Sequence, residues 1–156
     1  MIIENFKEGD RPIFCELCRA FYESQAALRG YDNNIAEKTF LHVLDKHENL
    51  WGVMLREAGT GDAVGYALIT SYWSNEDGGN VIVLDELYIR EDKRKKGYAK
   101  LFMEWLEMNY SEDAAAITLE VLISNQRACE LYEKSGYHPD GFTTYTKPMK
   151  KTLNSI

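Results

Sequence analysis

The most chemically suggestive stretch of the chain is Leu87-Tyr88-Ile89 followed by Arg94-Lys95-Lys96-Gly97-Tyr98-Ala99. An apolar, strand-like run leads into a basic glycine turn and then into a helical pattern. The first turn of a helix carries free N–H groups and the positive end of the helix dipole, which together attract an anion. Gly97 and the small Ala99 let a ligand approach the backbone closely. Five basic residues and no acidic one lie between Lys93 and Lys100. The preceding strand can offer its edge groups to an extended ligand arm bearing amides, as a sheet accepts an added strand. A pyrophosphate carrying an amide-rich tail, as in coenzyme A, meets all of these features. A dinucleotide loop is disfavoured, because GxGxxG is absent and the strands do not read as a parallel βαβ series.

Groups able to move protons lie nearby. Asp85 and Glu86 are neighbours on the same strand, so their side chains point to opposite faces and one of them can face a cleft. Either suits a general base, and strand-end solvation or a salt bridge is the competing reading. Tyr132 offers a phenol, although its spacing alone reads as a packed helix residue with a local hydroxyl partner. Tyr22, Tyr31 and Tyr72 are candidates to line an amine pocket, since aromatic faces attract cations. No metal site is expected: Cys15 and Cys18 form a CxxC without a second ligand pair, and they read as small apolar residues on one helix face. Cys129 reads as packing, and His42, His47 and His138 have no metal spacing. Trp51, Trp73 and Trp105 read as core residues.

Positioning these groups requires a scaffold. Ile2–Glu4 reads as a short strand, and Ile13–Leu28 as a helix with apolar residues at 13, 14, 17, 18 and 21 behind Pro12. After a break at Gly30, Asn33 or Asn34 can cap a second helix presenting Ala36, Phe40, Val43 and Leu44. Leu50–Arg56 and Ala63–Trp73 form a hairpin pattern around Ala58–Asp62, and Val81–Ile89 is the clearest strand. A helix follows to about Tyr110, with Tyr98, Leu101, Phe102, Trp105 and Leu106 on one side. Ala116–Ile123 reads as a strand, and a short helix runs from an Asn125 cap to Ser135, stopped by Gly136. Tyr137-His138 and Thr143–Met149 read as extended structure around a Pro139-Asp140-Gly141 turn. The implied architecture is mixed α/β, with helices flanking a largely antiparallel central sheet.

The chain has 156 residues, which fits one domain over 1–156. Its 45% hydrophobic and 28% charged content is ordinary for a globular protein. No apolar run is long enough for a membrane span, and the N-terminus lacks a signal-peptide pattern, so a cytoplasmic location is expected. A net charge of −7 disfavours nucleic acid as a partner and suits a cationic substrate.

Arg94-Lys95-Lys96-Gly97-Tyr98-Ala99 resembles the Q/R-x-x-G-x-G/A signature of the GNAT superfamily, in its expected place after a strand. The segment from Asn125 through Ala128, Leu131 and Tyr132 to Gly136-Tyr137 is similar to that family's downstream N-x-x-A-x-x-L-Y-x-x-x-G-F/Y pattern, and Gly65-Tyr66-Ala67 resembles its hairpin strand. Lys95 departs from the family, where glycine is common. The resemblance covers roughly residues 50 to 137 and points to the small bacterial-type amine N-acetyltransferases.

The resemblance implies the GNAT acyl-CoA N-acyltransferase fold and acetyl-CoA as co-substrate. It also implies a small-molecule or peptide amine as acceptor. Main-chain groups of Leu87 and Ile89, with Tyr88 between them, would meet the pantetheine arm. The amides from Arg94 through Lys100 would hold the pyrophosphate, Asn125 would contact the arm, and Tyr132 would lie by the sulfur as its proton donor. Asp85, Glu86 or an ordered water would act as base. The alternative is a catalytically silent acyl-CoA-binding or regulatory module on the same fold. The acceptor's identity, the acyl-chain length and the oligomeric state, homodimer included, stay open.

Overall fold

The computed structural model describes residues 1–24, 26–46, 49–147 and 149. Over these the chain runs β1 (Ile2–Asn5), α1 (Arg11–Tyr22), α2 (Asn33–Leu44), β2 (Leu50–Arg56), β3 (Ala63–Ser74) and β4 (Gly79–Ile89). α3 (Tyr98–Tyr110), β5 (Ala114–Leu119) and α4 (Gln126–Lys134) follow. The five strands lie in sequence order in one sheet, antiparallel from β1 to β4, with β5 parallel to β4. That is the mixed, largely antiparallel sheet flanked by helices that the sequence pattern implies.

Alternation along the strands splits the core between the two faces of the sheet. On one face α1 and α2 bring Phe14, Leu17, Cys18, Phe21 and Phe40 against Met54, Tyr66, Leu68 and Tyr88. On the other, Phe102, Met103 and Leu106 of α3 pack on Val53, Leu55, Val64, Ala67, Ile69, Ile82, Leu84 and Ile89. Phe14, Phe40, Tyr66, Phe102 and Leu106 are fully enclosed, each such side chain contributing about 1.5–3 kcal/mol of apolar burial. Gly65 lets β3 and β4 approach, since a Cβ there would collide with the Tyr88 carbonyl. No helix among the described residues is long and apolar enough to cross a membrane.

Several elements differ from the sequence reading. α1 stops at Tyr22 instead of reaching Leu28, because Ser24 Oγ donates to the Phe21 carbonyl (2.6 Å) and accepts from Ala26 N (3.1 Å), replacing the helical ladder. The cap of α2 is Asp32, whose Oδ1 accepts from Asn34 N (2.8 Å) and Ile35 N (3.4 Å); Asn33 and Asn34 lie inside the first turn. β5 ends at Leu119, and a turn closed by Asn125 N on the Leu122 carbonyl (2.7 Å) leaves Ile123 exposed. Residues 143–147 form no strand, as no neighbouring strand offers them a ladder; Pro148, in the same expected run, lies outside the described residues, as does His47. Trp73 is 67% exposed and Trp51 lies at the surface, so neither is core.

Candidate active site

The site is organised by one irregularity in β4. Leu68 of β3 faces Glu86 while Ile69 faces Leu84, so Asp85 is an extra residue, a β-bulge. Side chains of an uninterrupted strand repeat every two residues, and Ile82 and Leu84 lie on the α3 face. The bulge breaks that phase and turns Glu86 and Tyr88 to the α1–α2 face, where Glu86 is 8% exposed. Tyr22 donates to Glu86 Oε1 and Tyr66 to Oε2, both at 2.6 Å. Burial raises the Glu86 pKa, the two phenol donors oppose that rise, and the Asp85 charge adds to it; the net direction is upward. The phenols of Tyr22 and Tyr66 are themselves pushed up, by burial first and by the Glu86 carboxylate, so both remain donors. Asp85 is open to solvent at the sheet margin. Partial desolvation, and then the Glu120 charge, hold its carboxyl above the ordinary value.

Glu86 forms part of the wall of a cavity of about 170 Å³ between α1, α2 and the sheet, with Cys18, Tyr22, Tyr31 and Arg29 among its other lining residues. Tyr72, grouped with these tyrosines in the sequence, is exposed near the far end of β3. A larger depression of about 540 Å³ lies by Asp10 and Arg56. Its cations are all engaged: Arg56 pairs with Asp10 and Glu4, Arg90 with Asp92, and Lys93 with Glu57.

On its other side β4 opens. β5 pairs with it only as far as Leu84↔Leu119, so residues 85–89 keep β3 as their only partner strand. Arg90 N bonds the Val64 carbonyl (2.9 Å), and antiparallel alternation from that pair turns the main chain of Glu86 and Tyr88 toward β3. The main chain of Leu87 and Ile89 therefore faces the gap. Arg94 Nε occupies the Ile89 carbonyl (2.9 Å), and its guanidinium lies 5.5 Å from the Tyr88 ring centroid. Leu87 N–H, Leu87 C=O and Ile89 N–H are left open to the gap among the described residues. Tyr88, in the middle of the expected cofactor strand, faces away from the gap and supports Arg94.

Beyond β4 the chain makes a 3-10 turn at Glu91–Lys93 and reaches Gly97, the N-terminal cap of α3, at φ 82°. Lys95 is also left-handed, at φ 62°. The Arg94 amide is spent on the Glu91 carbonyl (3.2 Å), but the six N–H groups of residues 95–100 meet no acceptor among the described residues. Six adjacent free amides at a helix start form an anion cradle. A Cβ built on Gly97 meets nothing within 4 Å, so the cradle is open. Of the five basic side chains, Lys93 is tied to Glu57 (2.6 Å), Arg94 to Ile89 and Glu91, and Lys100 lies 3.7 Å from Glu104. Lys95 and Lys96 have no ion pair among the described residues.

Tyr132 packs from α4 onto the same cluster as Leu87, Ile89, Tyr98 and Ala99, with its ring centroid 6.3 Å from that of Tyr137. Burial pushes its phenol up to about 12. Its hydroxyl makes no hydrogen bond among the described residues, and the fully buried hydroxyl without a partner among them is that of neighbouring Tyr137. Asn125 caps α4 by accepting from Ala128 N (3.3 Å). Cys18 is buried and its thiol is pushed up to about 12 by burial, which makes it an inert wall. No group of three His, Cys, Asp or Glu side chains gathers as a metal site among the described residues.

Two contributors escape a sequence reading. Glu57, at the β2–β3 turn, holds both Lys93 (2.6 Å) and Tyr98 OH (2.9 Å), pinning the basic turn from either side. Tyr66 carries the buried hydroxyl beneath Glu86. Both act across the sheet, at separations that no local motif records.

The acetyltransferase (GNAT) family model matches residues 12–137, and the chain belongs to that family. It is 29% identical over 107 residues to the D-amino-acid N-acetyltransferase HPA3 of Saccharomyces cerevisiae, covering 68% of this chain and 66% of that relative. The chain thus spans just under two thirds of HPA3. Among solved structures, a possible acetyltransferase from Clostridium difficile 630 superposes with a TM-score of 0.82 at 16% identity, covering 96% of this chain and 98% of the other. AAC(6')-Iy, in complex with the bisubstrate analog CoA-S-monomethyl-acetylneamine, has a TM-score of 0.78 at 12% identity over 96% of this chain and 98% of its own. At such identities the likeness is one of fold.

Proposed function

We propose that this chain is an N-acetyltransferase that moves the acetyl group of acetyl-CoA onto a primary amine of a small molecule or peptide by direct attack. One observation carries the reading. A single strand segment, 85–89, has an open main-chain edge continuing into six free amides, and it bears on its other face a buried carboxylate lining a cavity. An extended amide-bearing phosphate ester suits the first feature and an ammonium the second.

When bound, acetyl-CoA supplies the activated acetyl group and a thiolate leaving group. The amides of residues 95–100, with Lys95 and Lys96, would hold its phosphates, and the Leu87 main chain would pair with its arm, leaving the Ile89 N–H for the thioester. Asn125, at the β5–α4 turn, would hold the same arm through its side-chain amide. An alkylammonium has a pKa near 10, so a base must take a proton before nitrogen can attack. Glu86 is the better placed of the two acidic neighbours, because it faces the cavity while Asp85 faces solvent. The Ile89 N–H stabilises charge on the carbonyl oxygen. Tyr132 keeps its proton until the thiolate forms and then donates it.

The test is calorimetric titration with acetyl-CoA, followed by thiol release over a panel of polyamines, aminoglycosides, amino acids and N-terminal peptides. Binding with turnover of at least one amine class is expected. Tight binding with no turnover across the panel overturns the enzymatic reading.

A further inference from the structure

Glu86 has a property that its hydrogen bonds do not resolve. The carboxylate is buried, two phenols satisfy part of its acceptor capacity, and it forms no ion pair among the described residues. A carboxylate offers about four lone-pair sites, so two donors leave room for more. A buried anion without a counter-charge is costly, and here it faces a cavity. The other acid in that cavity, Asp32, is exposed at its mouth and caps the first amides of α2 through Oδ1. At the rim Arg29 is exposed and has no ion-pair partner among the described residues. Arg19 is occupied differently, lying 4.6 Å from the centroid of the Tyr31 ring. The cavity therefore holds a buried anion without a counter-charge within, and at its exposed mouth a guanidinium without an ion pair among the described residues beside the capping carboxylate of Asp32. Between them lie apolar and aromatic walls from Phe14, Tyr22, Tyr31 and Leu68.

We infer that this cavity is the acceptor site and that it takes a compact amine carrying its own carboxylate, an α-amino acid in chemical class, with the ammonium at Glu86 and the carboxylate at Arg29. The assignment rests on the acetyltransferase reading and narrows its acceptor. Size agrees: at about 170 Å³ the cavity is below the roughly 300–1,000 Å³ that drug-sized ligands occupy, so it suits a molecule of few heavy atoms. A guanidinium fork matches a carboxylate in two parallel hydrogen bonds, which makes Arg29 the residue that tells an amino acid from a plain amine. Transfer is balanced: one ammonium proton passes to Glu86, the N–C bond forms as the C–S bond breaks, the sulfur leaves as the thiol with the Tyr132 proton, and the second nitrogen proton restores the phenol.

The experiment compares alanine, in both enantiomers, with ethylamine, the same amine without its carboxylate. Wild-type kcat/KM for alanine is expected to exceed that for ethylamine by about tenfold or more, as a charge-assisted pair warrants. In Arg29→Ala that ratio falls toward one through a higher KM for alanine, and Arg29→Lys restores part of it. Equal rates on the two amines in the wild type, or a ratio indifferent to Arg29→Ala, overturn the amino-acid assignment while leaving the acetyltransferase standing. Should no amine turn over, the enzymatic reading fails, and the cavity is judged by titrating alanine into the CoA-saturated protein. Binding weakened by both Arg29→Ala and Glu86→Gln upholds the site, and absent or unaltered binding overturns it.

Discussion

The two sides of β4 are built from different materials. Toward α3 and β5 the candidate cofactor surface is nearly all main chain: the open edge at Leu87 and Ile89 and the amides of residues 95–100. Most of the basic side chains there are already engaged, by Glu57, Glu91 and Glu104. Toward α1 and α2 the surface is all side chain, with Glu86 held by Tyr22 from a helix and by Tyr66 from a neighbouring strand. A main-chain site depends on where the backbone goes and tolerates changes of side chain. A side-chain site fails when one partner is lost. On the proposed function, the same strand thus carries a robust binding role and a brittle catalytic one.

The largest effect should come from the brittle side. Glu86→Gln keeps the shape and one phenol donor, while the other phenol turns to accept from the new NH2, and kcat is expected to fall by about 10²–10⁴-fold, the usual worth of general acid–base catalysis. Because the Glu86 pKa is raised, the wild-type acid limb of kcat/KM should lie above the ordinary carboxylate range and vanish in the variant. Stability follows with a definite sign. A raised carboxyl pKa favours the folded state at low pH, and that contribution is lost as pH rises through the folded value, where ionised Glu86 becomes a cost. The neutral glutamine should hold or raise Tm at pH 7, and a large fall in Tm would mean that the carboxylate is structural. Tyr132→Phe should likewise lower kcat toward the low end of that range without moving Tm.

Smaller effects probe the main-chain side. Gly97→Val places a β-branched residue at φ 82°, where left-handed backbone costs it about 1–2 kcal/mol, and crowds the cradle. Acetyl-CoA affinity should drop about tenfold or more by calorimetry. A folded variant that binds as tightly as wild type would move the phosphate site elsewhere. Smallest is the double variant Lys95→Ala/Lys96→Ala, expected to lose only a few-fold in affinity at low salt and to converge with wild type as salt screens the charges. A loss as great as that of Gly97→Val would show that side chains, not amides, hold the phosphates.

The same division explains what could be read from residues alone. Gly97, the basic run and the helix period are local, so the main-chain half was visible as a motif, as were α3, β2–β4 and the Asn125 cap. The side-chain half joins residues 20 and 64 positions apart, Tyr66 and Tyr22 with Glu86, which no periodicity encodes. Reading Asp85 and Glu86 as adjacent and opposed was sound for a regular strand, but only the β3 register reveals the bulge that assigns Glu86 to the α1–α2 face. The early end of α1 and the exposure of Trp73 were hidden for a related reason. Each depends on what a neighbouring hydroxyl or sheet edge offers, not on the residue's own preference.

The bulge at Asp85 also bears on how function is inherited between sequences. Deleting Asp85 would restore the two-residue phase and leave Glu86 opposite Leu68 on the α1–α2 face, whereas closing the bulge at constant length would carry Glu86 to the α3 face. A relative without the bulge therefore keeps its carboxylate on this face only if it is also one residue shorter here. Acidic residues in two relatives can share an alignment column and still serve different faces. Equivalence is better judged by counting register from the paired strand than by counting residues back from the glycine turn.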